Sequence, residues 1–178
     1  MASLVLAGCL SKPDRPAVLD AADDRCEPVA CGAAGGTCIG GVCVIERGTT
    51  AFVTCPAAMP CRIACSGKDA CKMGASCGAA TTCEVRCDGE SACVERGVDC
   101  GTAATCDVRC FGQAACEHQV SGATASVECR NAACTVECRG DAACKAGIAV
   151  AGGTCEATCC NGACEGPTGA CVVDRTCP

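Results

Sequence analysis

The sequence predicts a small disulfide-rich, all-β protein built from repeats of about 22 residues, which we expect to stack as a parallel solenoid. Three observations support this fold class: 27 of the 178 residues are cysteine, Trp and Tyr are absent, and a C-x-[V/I/A]-x-C segment recurs five times. Large apolar side chains, each worth about 1.5–3 kcal/mol on burial, are rare, so covalent cross-links are expected to replace a conventional core.

The first nine residues end in the apolar run Leu6-Ala7-Gly8-Cys9. This run resembles the lipobox of bacterial lipoproteins, a family in which the leader is cut before the cysteine and the thiol carries a diacylglycerol. The resemblance implies that residues 1–8 are the end of a signal peptide that starts further upstream, because a basic region and the usual length of about 15–30 residues are missing. It also implies a membrane anchor on Cys9, and Leu10 after it implies the outer membrane.

Cysteine chemistry agrees with export. Disulfides persist outside the reducing cytosol, and removal of Cys9 from the 27 cysteines leaves an even number, as a fully paired framework requires. We therefore expect a lipid-anchored protein of the bacterial cell envelope, or otherwise a secreted one. Residues 9–25 form the anchor and a charged, proline-containing tether.

A compact cysteine module follows the tether, with the spacing Cys26-x4-Cys31-x6-Cys38-x4-Cys43 and two Gly-Gly pairs. It resembles the small two-disulfide pieces of EGF-like extracellular modules. We expect residues 26–43 to form a separate module and residues 44–60 to connect it to the body.

The body, residues 61–164, contains the repeat. Alternation of Cys, Val and Cys with charged residues has a period of two and predicts half-buried strands, and a following glycine predicts a tight turn. The coil length is similar to that of parallel β-helices. The longer third repeat predicts a bulging loop at 117–128, and residues 165–178 are expected to form a disulfide cap. The alternative is a string of small disulfide knots without a shared ladder.

The two cysteines of one C-x-V-x-C strand lie about 13 Å apart, too far for a bridge. Pairing neighbours across the short C-x5-C loops uses every cysteine from 55 to 144. The predicted local pairs are Cys55/Cys61, Cys65/Cys71, Cys77/Cys83, Cys87/Cys93, Cys100/Cys106, Cys110/Cys116, Cys129/Cys134, Cys138/Cys144 and Cys171/Cys177. Cys26/Cys31 and Cys38/Cys43 pair likewise or cross. Cys155, Cys159, Cys160 and Cys164 pair among themselves in an undecided order. Pairing between coils stays open as the competing arrangement.

Motifs for catalysis or cofactors are sparse. The chain has neither CxxC nor CxC, and its single histidine, His118, lacks a recognisable nucleophile and orienting partner. We expect no metal, no cofactor and no enzymatic activity, with a thiolate metal-sequestering protein as an alternative. The net charge of −6 without a basic cluster argues against nucleic acid as a partner.

The outward positions of the repeats carry charges. Glu84, Asp107 and Glu156 share one repeat position, and Arg86 and Arg109 share another, so a solenoid would align them in acidic and basic columns. A calcium- or sugar-binding face, as on β-helix polysaccharide lyases, is one interpretation, but no calcium-loop motif is present. We expect a structural or binding role toward an unknown surface or extracellular protein or carbohydrate, with a polysaccharide-binding or polysaccharide-cleaving β-helix as the alternative.

Overall fold

A computed structural model describes residues 25–119, 125–130 and 132–177. Cys9, residues 10–24 of the tether and residues 120–124 of the predicted loop lie outside the described residues. The elements are α1 (Pro28–Ala33), β1 (Thr37–Ile39), β2 (Val42–Arg47), β3 (Val53–Thr54), β4 (Cys61–Ser66), β5 (Ala75–Ser76), β6 (Thr82–Asp88), β7 (Val98–Asp99), β8 (Thr105–Phe111), β9 (Val127–Arg130), β10 (Ala133–Arg139), β11 (Ile148–Ala151), β12 (Thr154–Cys159) and β13 (Val172–Asp174). Among the described residues, no helix is long and apolar enough to cross a membrane.

The strands form two sheets that run along one solenoid. The long sheet has eight strands in the order β1-β2-β4-β6-β8-β10-β12-β13, and the short sheet has five in the order β11-β9-β7-β5-β3. All pairings are parallel except the β1–β2 hairpin. The predicted parallel, disulfide-rich solenoid is therefore confirmed. A string of independent knots is wrong, because a continuous ladder joins the coils.

Each coil contributes one long strand, a turn, one short strand and a corner that leads into the next long strand. Strand β4 pairs in register with β6, so that Cys61 faces Cys83 and Cys65 faces Cys87. The same register continues from β6 to β8. A repeated pattern thus places equivalent residues of successive coils directly above one another, which is how a solenoid buries a face that one coil alone would expose.

The core is a stack of small side chains between the two sheets. The centre of each long strand points inward, and these residues, each no more than 3% exposed, are Ile45, Ile63, Val85, Val108, Val136 and Ala157. The short sheet contributes Val53, Ala75, Val98, Val127 and Ile148, also buried. Cysteine occupies most of the remaining inward positions, so sulfur fills the space that larger apolar residues occupy in an ordinary core.

Thirteen disulfides join all cysteines from Cys26 to Cys177. Eight of them close the coil corners over five or six residues, in the same neighbour pairs that the C-x5-C spacing predicts between residues 55 and 144. One kind of corner bridge ties the end of a long strand to the turn after it. The other ties the end of a short strand to the start of the next long strand, so most coils are closed at two corners.

The cysteines in the turn after a long strand differ from the sequence prediction in their backbone conformation. The prediction assigned the tight turn to the glycine and treated Cys71, Cys93 and Cys116 only as bridge partners. In the structure their φ angles are +47°, +55° and +57°, in the left-handed region that residues other than glycine seldom adopt. The predicted glycine turn is present, with φ of +103° at Gly67 and +131° at Gly112, and the cysteine that follows in the same turn also has a positive φ.

Two requirements hold Cys71 and Cys116 in this conformation. The amide N–H of Cys71 donates to the carbonyl of Thr49 in the preceding coil at 2.6 Å, and that of Cys116 donates to the carbonyl of Ala92 at 2.7 Å. Both side chains are fully buried and bond the last cysteine of the preceding long strand, β4 or β8. The backbone at these cysteines therefore satisfies a hydrogen bond between coils and a disulfide within the coil at the same time.

Both ends of the solenoid depart from purely local pairing. In the N-terminal module the bridges cross, as Cys26–Cys38 and Cys31–Cys43. Strands β1 and β2 form a hairpin in which Cys38 and Cys43 lie opposite each other, and each of them bonds a cysteine of the preceding segment, Cys26 or Cys31.

The C-terminal pairing needs a correction. Cys171 and Cys177 do not bond to each other, and the cluster at 155–164 is not closed on itself. Cys155 bonds Cys171 and Cys160 bonds Cys177, while only Cys159–Cys164 is internal. The reason is that β13 adds to the sheet beside β12, which carries the last cysteines back onto the final coil.

Two predicted boundaries also shift. Strand β2 crosses the boundary set between residues 43 and 44, and it pairs with β4, so the N-terminal module is the first layer of the same sheet. Residues 127 and 128, expected in the bulging loop, instead begin β9 of the short sheet. The insertion therefore lies before residue 127, between the turn of the third coil and its short strand.

Candidate interaction surface

The outward face of the long sheet displays aligned charges among the described residues. Across β4, β6 and β8 the register aligns Arg62, Glu84 and Asp107 in one column. The neighbouring column on β6 and β8 holds Arg86 and Arg109. The acidic and basic columns predicted from the repeat are present on these two strands.

The columns change character on the next two strands. Thr135 of β10 lies between Asp107 and Glu156, and Glu137 of β10 follows Arg109 in the second column. The acidic column is thus interrupted at Thr135, and in the second column the two arginines are followed by the carboxylate of Glu137. The face is a mosaic of both signs rather than a continuous stripe of one sign.

Glu84 is the centre of the densest charge cluster on this face. Its Oε2 accepts a hydrogen bond from Arg62 Nε on the adjacent strand at 2.5 Å, and its Oε1 accepts one from Arg86 Nε on its own strand at 2.6 Å. Burial raises the pKa of Glu84, but the hydrogen bonds and charges of Arg86 and Arg62 outweigh it and lower the pKa overall. The carboxylate is therefore ionised, and both of its oxygens accept a hydrogen bond from an arginine.

The other outward charges pair in the same way. Asp107 lies 3.3 Å from Arg109, and Glu137 lies 2.5 Å from Arg139, in each case on the same strand two residues apart. In the turns after β4 and β6, Lys68 Nζ lies 2.8 Å from Glu90, and this hydrogen bond raises the pKa of the lysine. Exposed ion pairs of this kind contribute little to the free energy of unfolding. They do balance positive and negative charges within the outward face.

This environment opposes hydrolytic chemistry at the carboxylates. A glycosidase needs one carboxylic acid with a raised pKa to protonate the leaving group, next to a second ionised carboxylate. Glu84 has a lowered pKa, and Asp107 already accepts from Arg109.

The two aromatic residues of the chain are also engaged. The ring of Phe111, at the end of β8, has the guanidinium carbon of Arg139 5.6 Å from its centroid. The ring of Phe52, just before β3, has Arg96 at the same distance. Each ring therefore already has a cation over one face, an arrangement worth about 0.5–1 kcal/mol at exposed sites.

Shallow depressions mark both ends of the outward face. At the N-terminal end, one is lined by Glu46, Ala64 and Ser66, where small side chains replace the arginine and aspartate of later coils. At the C-terminal end, another is lined by Glu156, Thr158 and Val172. Both are open to solvent.

Some cysteines are clustered closely enough to hold a metal ion, but each of their sulfurs is part of a disulfide. Five groups of three cysteines among the described residues place their Sγ atoms within 4.8 Å, and one such group is Cys65, Cys87 and Cys93. Every member belongs to a disulfide. A metal binds the thiolate, so these groups offer ligands only after reduction.

His118, the one histidine, is half-buried beside the turn of the third coil. Burial lowers its pKa, Glu128 opposes this effect and Arg96 adds to it. The ring is thus held toward its neutral form.

Sequence reasoning located the charged columns but missed how completely their members neutralise one another. The signal was available, because Glu-x-Arg or Asp-x-Arg recurs at residues 84–86, 107–109, 128–130 and 137–139, and residues two apart on a strand share a face. Comparison of the chain with family models, with curated proteins and with solved structures gave no match.

Proposed function

We propose that this chain is an exported bacterial lipoprotein of the outer membrane, anchored through Cys9, whose solenoid is a rigid scaffold with a structural or binding role. The observation that supports this proposal is the number of cysteines and the way they pair. Bridges use every cysteine from Cys26 to Cys177, and the one cysteine left over is the residue at the end of the lipobox-like run.

The physical case for a scaffold begins with the core. Inward side chains are Val, Ile, Ala and Cys, so burial alone contributes modestly per residue. In the chain-entropy model a loop of six residues adds about 2 kcal/mol per bridge. Closing each coil at its corners limits how far the unfolded chain can expand. Such a chain keeps its shape where chaperones and ATP are absent.

The outward face fits display rather than catalysis. Its carboxylates Glu84, Asp107 and Glu137 pair with arginines. The ring of Phe111 on the same face has the guanidinium group of Arg139 over it. We propose that partners, protein or carbohydrate, contact this mosaic or the open depressions at its ends, and that the chain has no enzymatic activity of its own.

Intact-mass spectrometry of the protein extracted from membranes of its source, without reduction, tests the anchor and the framework together. The expected result is an N-terminus at Cys9 that carries acyl chains, with no thiol available to alkylation after unfolding. A matched Cys9→Ser form should lose membrane association while its 13 bridges and its far-UV spectrum stay unchanged. An unacylated N-terminus upstream of Cys9 contradicts the anchor, and many free thiols contradict the scaffold.

A protease challenge tests the scaffold separately. The oxidised protein should resist a broad-specificity protease for hours, because cleavage needs local unfolding that the corner bridges oppose. Prior reduction and alkylation should make the chain degrade within minutes. Equal digestion of both forms would show that the bridges do not set its rigidity.

A further inference from the structure

The corner bridges that precede the long strands form a column of sulfur atoms inside the solenoid. We define the sulfur column by its four bridges, Cys55–Cys61, Cys77–Cys83, Cys100–Cys106 and Cys129–Cys134. All eight sulfurs belong to residues that are no more than 4% exposed. Solvent and external thiols are therefore kept away from them, and the nearest reactive groups are the sulfurs of the neighbouring coil.

Successive bridges of the column are in direct contact. Cys55 Sγ lies 3.8 Å from Cys83 Sγ, and Cys77 Sγ lies 3.7 Å from Cys106 Sγ. Cys100 Sγ contacts both sulfurs of the next bridge, Cys129 at 3.9 Å and Cys134 at 3.8 Å. Each bridge thus has one sulfur against the bridge of the following coil.

We propose that the sulfur column is a path for thiol–disulfide exchange, along which one unpaired thiol moves from coil to coil through the folded protein. Exchange needs only that a thiolate reach a sulfur of an existing bridge, and here the two are held in contact by the ladder. Holding reactants together in this way replaces a bimolecular encounter by a local step.

One step of the exchange balances without an external reagent. A thiol at Cys55 loses its proton, and the thiolate attacks Cys83 Sγ. A Cys55–Cys83 bond forms while the Cys77–Cys83 bond breaks, and Cys77 leaves as a thiolate. That thiolate faces Cys106, and the step repeats until the last thiolate takes up a proton. The number of thiols and of bridges stays constant throughout.

The path gives the scaffold a means of correcting its own bridges. In-register stacking brings together cysteines of neighbouring coils, which are also the partners that oxidation would join wrongly. A mispaired column with one reduced cysteine could reach the local pairing without unfolding, because every intermediate bridge joins sulfurs already in contact.

The Cys61→Ser variant, which leaves Cys55 unpaired, tests the path. The variant is purified at about pH 3, where exchange is slow, and then held without denaturant at about pH 8.5, where thiolates form. After acid quenching, unfolding and alkylation with a maleimide, peptide mapping locates the label. The label should then appear at Cys77, Cys100 and the last bridge as well as at Cys55, in proportions set by the stability of each crossed bridge relative to the local one. Crossed bridges Cys55–Cys83 and Cys77–Cys106 should appear with it.

The reverse variant, Cys134→Ser, starts from the other end and keeps the test decisive if the first variant fails to fold. It frees Cys129, and exchange through the same contacts should deliver label to Cys61. A Cys55→Ser/Cys61→Ser double variant has no unpaired thiol in the column and sets the background.

Two outcomes would overturn the path. One is label that stays at Cys55 or Cys129 under native conditions while it spreads in denaturant, where the same chemistry is unrestricted. The other is label at bridges outside the column, such as Cys87–Cys93, which indicates scrambling through unfolded chains. Movement confined to the column, in both variants, supports the proposal.

Discussion

The glycine of each repeat turn offers the sharpest test of how the coils stack. Gly67, Gly89, Gly112 and Gly140 all have positive φ, and from Gly89 onward each lies against the backbone of the glycine one coil earlier. A Cβ on Gly112 would stand 2.6 Å from the carbonyl oxygen of Gly89, closer than a carbon and an oxygen can approach. A Cβ on Gly67, the first of the series, would meet no atom within 4 Å.

Gly112→Ala and Gly67→Ala therefore form a matched pair. Both place a side chain at positive φ, of +131° and +103°, which costs about 1–2 kcal/mol. Only Gly112→Ala also forces a methyl group into the coil below, and overpacking of this kind costs about 1–3 kcal/mol more. The expected loss in free energy of unfolding is about 1–2 kcal/mol for Gly67→Ala and about 2–5 kcal/mol for Gly112→Ala.

The assay is guanidinium chloride unfolding without a reducing agent, followed by far-UV circular dichroism because the chain has no Trp or Tyr to report by fluorescence. Midpoints convert to free energies if the transition slope is the same in both variants. Equal losses for the two variants would refute the reasoning, since they would mean that contact between coils at the glycine does not limit the stacking.

Three further results are expected. Reduction without denaturant should abolish the strand signal in far-UV circular dichroism, because small side chains cannot hold the coils alone; a reduced chain that keeps its spectrum would contradict this. Val85→Ala removes two methyl groups from a fully buried side chain and should lower the free energy of unfolding by about 2 kcal/mol, measured by the same denaturation, whereas a change near zero would mean that the core collapses around the gap. Glu84→Gln should cost about 1 kcal/mol near neutral pH, because the two arginines that pair with Glu84 are 46% and 40% exposed, although the carboxylate itself is only 19% exposed. The folded-state pKa of Glu84 is lowered, so the stability that its charge gives the wild type should be lost as the pH falls through that pKa. In acid the wild type and Glu84→Gln should therefore unfold with the same free energy. A difference that persists in acid would exclude the charge as its cause.

Much of the fold could be read from the repeat. Period-two alternation placed the long strands, and the limit on Cα separation excluded bridges within a strand. What the repeat did not reveal is the short sheet, because its strands are only two residues long in the central coils. The signal was an apolar residue two positions before the first corner cysteine, as in Val98-Asp99-Cys100.

The backbone of the corner cysteines was also beyond sequence reasoning. Spacing paired Cys71 and Cys116 with the correct neighbours, but it gave no sign that both would adopt positive φ. That conformation depends on a hydrogen bond to the preceding coil, about 22 residues earlier in the chain, which local spacing does not report.

The candidate surface was predictable in outline only. Register follows from the repeat, and it aligned Glu84 with Asp107 as expected. Which arginine a given carboxylate binds depends on side-chain reach across strands. Arg62 therefore joins Arg86 around Glu84 through a contact between residues 22 positions apart in the chain.

By itself, the sequence determined the oxidised, repetitive character of this protein, its lack of large apolar side chains and the short corner bridges, because those depend on composition and local spacing alone. Tertiary structure decided the bridges at both ends, the close approach of the turn glycines and the contacts within the sulfur column. Each of these joins residues that are distant along the chain. These residues become neighbours only when one coil stacks on the next. No local sequence pattern specifies how closely two coils approach.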